Sequence, residues 1–275
     1  NGLRTPSEQG VLITGAGRGI GKRLALGFAQ AGYPVGLLAR SQPELDLAKL
    51  EIEHGGGRAL PLQADVRDYQ QVARAVECLE RAFGSVDVLI AAAAVQGPIG
   101  PLWENDPRAW AQTIEINLVG VMHACHAVLP QMVARRSGKI VLLSGGGSAY
   151  ARPNFSAYAA SKTAVVRFAE VLAEEARDHN VQVNCMAPGG SYSTMTDEIL
   201  QAGPRAGNKE IEDAERVRLT GGTPPEKQIQ LALFLASERS NHVSGKLIHV
   251  NDDWKRLQNE NMHPEIFTLR RLQRV

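Results

Sequence analysis

Cysteine is scarce in this 275-residue chain: only Cys78, Cys125 and Cys185 occur, an odd number with no close pairing. That argues against a disulfide framework and fits a reducing compartment. An excess of one charge sign is also missing. The formal net charge is +1, so no global field draws the chain to nucleic acid or to an anionic membrane. Long apolar runs are absent too; the longest, VLIAAAAV at 88–95, is far too short to span a bilayer. No charged-then-apolar segment opens the sequence. There is no internal repeat, low-complexity tract or Pro/Gly/Ser-rich linker between two cores. What remains is 44% hydrophobic and 21% charged residues, enough for a sizeable core with an ordinary surface. These features predict a cytoplasmic globular enzyme or binding protein, one domain over 1–275, with neither nucleic acid nor a membrane as partner.

What is present is an alternation. Short apolar runs read as strands at 10–15, 34–40, 58–66, 86–94, 139–145, 181–189 and 246–250. Longer amphipathic runs between them read as helices at 20–32, 43–57, 68–83, 106–135, 156–180 and 225–237. Continuously apolar strands imply burial on both sheet faces, hence a parallel sheet with helices above and below. Right-handed crossovers then give an α/β, doubly wound, Rossmann-type domain with a parallel seven-stranded sheet. In such a fold ligands sit at the carboxyl ends of the strands.

TGAGRGIG (14–21) lies where the first strand hands over to the first helix. Gly15, Gly19 and Gly21 let backbone N–H groups and the helix N-terminus approach a pyrophosphate, with Arg18 and Ile20 between them. A tight turn without a ligand is the bland alternative. The second strand ends in Leu38-Ala39-Arg40-Ser41, with no carboxylate until Glu44. An enzyme selecting NAD tends to put an acid there for the ribose hydroxyls. Arg18, Arg40 and Ser41 instead complement a 2′-phosphate, which favours NADP(H), unless both arginines are simply solvated.

SAYAASK (156–162) sets Tyr158 four residues ahead of Lys162, on one helix face. Together with the glycine loop and the order of strands, it resembles the short-chain dehydrogenase/reductase family over roughly residues 8–250. That resemblance implies an NADP(H)-dependent oxidoreductase acting on a small-molecule carbonyl/alcohol pair, delivering hydride from the pro-S face. Tyr158 is then the general acid/base, and Lys162 favours its phenolate and holds the nicotinamide ribose. The alanines at 157, 159 and 160 give the nucleotide room. Asn117 matches the family asparagine that supports a water chain from the lysine. Asp65 and Val66 match the adenine contact, although Asp65 is equally suited to cap the following helix. Ala92 falls where the cofactor passes the end of the fourth strand. Pro188, Gly189 and Ser193 match the segment against the nicotinamide amide. The resemblance also implies a homodimer or homotetramer built through the helices at 106–135 and 156–178.

Two departures stand out. Ala91-Ala92-Ala93-Ala94 replaces the family's Asn-Asn-Ala-Gly, which puts the stability of that strand end in doubt. The family serine, thirteen residues before the tyrosine, falls on Gly145. Ser144 is the preferred substitute, reached by a one-residue extension; Ser148 comes second, and backbone N–H donors from the glycines third.

His123, Cys125 and His126 are read as surface or interface residues rather than a metal site, because no second cluster completes four ligands. The polar, glycine-rich stretch at 190–223 is expected to cover the substrate. Gln96, Tyr150, Arg152, Phe155 and Tyr192 are candidate pocket residues, with Arg152 suited to an anionic substrate. The tail 251–275, basic through Arg270, Arg271 and Arg274, docks on its own pocket or on a neighbouring subunit, or frays. Two rival functions stay open: cofactor-assisted epimerisation or dehydration, and a redox-silent NADP-binding sensor.

Overall fold

A computed structural model describes residues 5–258, 263 and 265–270. Among them, seven parallel strands form one sheet: β1 (Val11–Thr14), β2 (Val35–Ala39), β3 (Ala59–Gln63), β4 (Val88–Ala91), β5 (Gly138–Leu143), β6 (Val181–Ala187) and β7 (Leu247–His249). Their order is β3-β2-β1-β4-β5-β6-β7. The chain winds outward from β1 in one direction and from β4 in the other. A crevice therefore opens where β1 and β4 lie side by side, at their carboxyl ends.

Alternate residues of each strand feed opposite faces, and both faces are covered. Val11 and Ile13 of β1 join the core against α1 (Gly19–Gln30), α2 (Gln42–His54) and α9 (Pro225–Ala236). Leu12 joins the core against α3 (Tyr69–Phe83), α5 (Gly120–Arg135) and α6 (Ser156–Glu175). That is why the strands read as unbroken apolar runs. At the edge, β3 tolerates Pro61, whose missing N–H costs no ladder bond on an outer strand.

The helix expected over 106–135 is continuous but not uniform. α4 (Pro107–Ile114) passes through a π-helical turn at Glu115–Val119 into α5. By length and composition, Pro107–Arg135 is long and apolar enough to cross a bilayer. It lies along the sheet instead, with Val121, Ala124, Cys125, Val128 and Met132 in the core.

The stretch at 190–223, read as an interruption, carries two helices: α7 (Thr194–Ala202) and α8 (Asn208–Thr220). Its base is tied by an antiparallel bridge between Ser191 and Gly222 and by the Thr223 N–H donating to the Gly190 carbonyl at 2.7 Å. Its apolar face (Ile199, Ala206, Ala214) packs on Phe155 and Tyr158 as a separate small core.

The described part of the tail is held on its own chain, with Asp252 at the cavity wall. Trp254 stacks on Phe234, with ring centroids 5.3 Å apart. The Leu247 N–H of β7 donates to the Phe267 carbonyl at 2.7 Å, and Glu170 of α6 accepts from the Leu269 N–H and pairs with Arg270. The edge of the sheet is thereby covered. Arg271 and Arg274 lie outside the described residues.

Candidate active site

One cavity of ≈ 960 Å³ runs along the carboxyl ends of the strands. It is lined by Gly15, Arg18, Gly19, Ile20, Gly21, Arg40, Ser41, Asp65, Val66, Ala92, Ser144, Tyr158, Lys162, Pro188, Gly189 and Ser193. Gln96, Tyr150 and Arg152 line it too. Three expected residues do not: Asn117 stands behind the wall, Phe155 is buried in the small core beneath the cover, and Tyr192 is exposed beside it.

The glycine loop fits a dinucleotide. Gly15 has φ +70° and backs onto β4 so closely that a β-carbon would come within 2.7 Å of the Ala93 Cα. Gly21 is pressed against the Gly15 carbonyl, whereas a β-carbon on Gly19 would project into open space. The first turn of α1 thus opens on the cavity, where its N–H groups favour an anion. The alanines after β4 do not leave that strand end loose. Thr14 Oγ1 accepts from the N–H groups of Ala92 and Ala93 at 3.1 and 3.2 Å, which draws the chain out of the sheet after Ala91. Nothing in the alanine run itself signals this; the threonine that opens TGAGRGIG does.

At the end of β2, Arg40 is exposed and Ser41 caps α2 by accepting from the Glu44 N–H. Arg18 lies 3.9 Å from Glu44, with 59% of its side chain exposed. Glu44 also lines the cavity, so a carboxylate does share this corner with the two arginines. Asp65 does not cap the next helix. Asp68 does, accepting from the N–H groups of Gln70 and Gln71. Asp65 pairs with Arg67 at 2.6 Å, and the hydrogen bond from that guanidinium holds its carboxyl below the usual range.

Tyr158 and Lys162 share the inner face of α6, both buried. Lys162 Nζ donates to the Leu143 carbonyl at the end of β5, 2.9 Å away, and burial pulls its ammonium down to about 8. It lies 5.7 Å from the centre of the Tyr158 ring. Burial is also the larger influence on the phenol, which it holds above its ordinary value. The cation that opposes this is Arg152, whose guanidinium is 5.6 Å from the ring centre. Lys162 is not among the charges that move the phenol in the free protein, where burial dominates.

Asn117 sits in the π turn, fully buried. Its side chain clamps Val95, accepting from the N–H and donating to the carbonyl, both at 2.9 Å. It also donates to Ser161 Oγ at 3.1 Å, and Ser161 donates to the Tyr158 carbonyl at 2.7 Å. The amide thus ties the end of β4 to the helix carrying the phenol. Ser161 is part of this chain and sits in SAYAASK itself, yet its neighbours give no hint of the role.

Gly145, where the family serine falls, has no room for a side chain. A β-carbon on Gly145 would collide with the Tyr158 phenolic oxygen, so the phenol fills the space a side chain at 145 would take. Ser144 Oγ is closed off from solvent and has no hydrogen-bond partner among the described residues; no bond joins it to Tyr158. Leaving such a group unpaired costs about 1–3 kcal/mol. Ser148 closes a turn by donating its N–H to the Gly145 carbonyl at 3.2 Å.

Arg152 pairs with Glu210 of α8 at 2.6 Å, a contact from the cover that the sequence did not suggest. His123 and His126 are spent on α3 and its approach, bonding the Val66 carbonyl and Tyr69 Oη at 2.8 and 2.9 Å.

A family model for short chain dehydrogenases matches residues 9–203. The 3-oxoacyl-acyl-carrier-protein reductase FabG of Thermotoga maritima is 34% identical over 243 residues, covering 87% of this chain and 95% of that protein. Among solved structures, gluconate 5-dehydrogenase from Burkholderia cenocepacia, in complex with NADP and tartrate, superposes with TM-score 0.78 at 28% identity, over 88% of this chain and 92% of that one. NAD+-bound xylitol dehydrogenase gives TM-score 0.82 at 25% identity, over 90% and 98%. The fold and the paired Tyr158 and Lys162 beside a glycine loop define a nicotinamide-type oxidoreductase. The chain belongs to the short-chain dehydrogenase/reductase family.

Proposed function

We propose that this chain interconverts a small-molecule ketone and its secondary alcohol with NADP(H), as one dinucleotide-binding and catalytic unit over 1–275. The observation that carries the reading is the placement of Tyr158 and Lys162, one helical turn apart and buried, in the cavity that the glycine loop also lines. A bound nicotinamide dinucleotide supplies or accepts the hydride. Tyr158 exchanges the proton: its Oη–H is given to the carbonyl oxygen as that oxygen gains an electron pair, or regained from the alcohol in the reverse direction. A phenol held above its ordinary value by burial is protonated at neutral pH, which suits the reductive direction. Lys162, anchored through one N–H on Leu143, has two further donors for a ribose hydroxyl. The Asn117 clamp keeps the Tyr158 helix in register with the end of β4.

Support for NADP(H) comes from Arg18, Arg40 and Ser41 at the end of β2, with Glu44 as a competitor for Arg18. The segment at 190–223 acts as cover, its apolar face resting on Tyr158. Assembly as a homodimer or homotetramer leaves a role for Met122 and Val171, exposed apolar residues of α5 and α6.

The test is spectroscopic. With NADPH and a panel of ketones, reduced nicotinamide is consumed by wild type, and Tyr158→Phe lowers kcat at least a hundredfold while NADPH still binds. Product formed without net loss of NADPH replaces this reading with epimerisation or dehydration. Binding of NADPH with no turnover, unaltered by Tyr158→Phe, replaces it with the sensor.

A further inference from the structure

Arg152 is not needed for the proton transfer described above, yet it is placed beside it. It belongs to the segment between β5 and α6, and only 10% of its side chain is exposed. The guanidinium lies 3.9 Å over the centre of the Phe155 ring and 5.6 Å from that of Tyr158. Both it and Tyr158 line the cavity. Burying a guanidinium is costly unless its N–H groups are matched. Here the match is incomplete. Among the described residues the Arg152 side chain makes one hydrogen bond, from Nη2 to the Glu210 carboxylate. Nε and Nη1 have no acceptor among the described residues.

The carboxylate that does meet it comes from the cover. Glu210 is on α8, its side chain 18% exposed, and it lines the same cavity. The other charges α8 presents there, Asp213 and Arg216, pair with each other at 2.7 Å and leave no net charge. A largely enclosed planar fork beside Tyr158, with part of its donor set open to the cavity, suits bidentate capture of a carboxylate.

We infer that Arg152 is the specificity residue of this site: it receives the carboxylate of an oxo or hydroxy acid, and the Glu210 side chain occupies the guanidinium until that acid displaces it. The inference rests on the reading of Tyr158 as the acid/base. It adds that the reacting carbonyl sits on a molecule with an acid group near enough to span from Tyr158 to Arg152. Because Glu210 and the substrate compete for one guanidinium, removing the Glu210 charge strengthens acid binding instead of weakening it. A pair that merely tethered the cover would behave in the opposite way.

The test is thermal-shift titration of the full chain, with NADP+ present, by glycolate, lactate, tartrate and gluconate, each against its uncharged primary amide. At least one acid binds wild type tenfold or more tighter than its amide. Arg152→Gln abolishes that preference and Arg152→Lys retains part of it. Glu210→Gln raises acid affinity threefold or more and leaves the amide unchanged. Equal binding of every acid and its amide by wild type overturns the inference. So does a preference that survives Arg152→Gln, or a Glu210→Gln variant that binds acid and amide equally weakly. Should Arg152→Gln fail to fold, the Glu210→Gln arm decides alone. Turnover on the same panel separates the two claims. An acid that binds through Arg152 without any change in nicotinamide absorbance ends the oxidoreductase reading only. Reduction of neutral ketones with no acid preference ends the inference only.

Discussion

The phenolic oxygen of Tyr158 rests against the bare α-carbon of Gly145, in space that a side chain at that position would need. The missing hydroxyl of the family pattern is thus not an omission beside an otherwise ordinary tyrosine. The two residues are fitted to each other, and the ring has taken the vacated volume.

Gly145→Ser, which restores the family residue, therefore lowers activity. The added side chain displaces Tyr158 from its seat, and a shift of about 1 Å at a reacting group costs up to a hundredfold in rate. We expect kcat to fall at least tenfold with folding intact by circular dichroism. Ser144→Ala goes the other way in stability: it deletes a buried hydroxyl that has no partner. The melting midpoint of the free protein rises by about 2–4 °C for about 1 kcal/mol gained. A Gly145→Ser enzyme as active as wild type contradicts the fit between the two residues.

Lys162 sets a pH dependence whose sign follows from its burial. The folded ammonium titrates at about 8, well below the unfolded value near ~10.4. Between those values the unfolded chain binds more protons, so this residue makes stability rise with pH across that window. Below about 8 both states are charged, and the full penalty of burying the ammonium applies. Lys162→Met is accordingly more stable than wild type at pH 7, by at most about 3 kcal/mol, and the gap narrows toward pH 10. Urea melts at the two pH values measure it. Lys139, pulled down to about 7 by burial, acts in the same sense but is present in both proteins and cancels. A gap that is constant or widens with pH rejects the argument.

The corner at the end of β2 predicts how the cofactor is discriminated. Charge-assisted hydrogen bonds are worth about 1.5–3 kcal/mol, so Arg18→Ala and Arg40→Ala each raise the Kd for NADPH about tenfold or more. NADH, lacking the phosphate, changes less than threefold. Glu44→Gln frees Arg18 from its carboxylate neighbour and tightens NADPH binding about two- to fivefold. Fluorescence titration of the two reduced nucleotides reads all three. Equal losses for NADPH and NADH in the arginine variants place the phosphate elsewhere.

The legible part of this molecule was the part written in local pattern. Unbroken apolar runs announced strands buried on both faces, and each of the seven lies within or close to its expected stretch. The position of TGAGRGIG between a strand and a helix located the crevice. The Tyr158–Lys162 spacing put both on one helix face. The cover was legible only as an interruption: α8 has little apolar character of its own and is held by Ile199, Ala206 and Ala214 packing on Phe155 and Tyr158. Asp65 was read as a possible cap of α3, and the backbone path gave that role to Asp68.

By itself, then, the amino-acid order determined the doubly wound sheet, the glycine loop and the pairing of phenol with amine, because each depends on residues a few positions apart. Tertiary structure decided the rest. It brought Thr14 under Ala92, wedged Tyr158 against Gly145, strung Asn117 through Ser161 to the Tyr158 carbonyl on α6 and set Glu210 on Arg152. These contacts join segments distant in the chain, where periodicity carries no information. Burial, the dominant influence on both the phenol and the ammonium, exists only once the chain has closed around both groups.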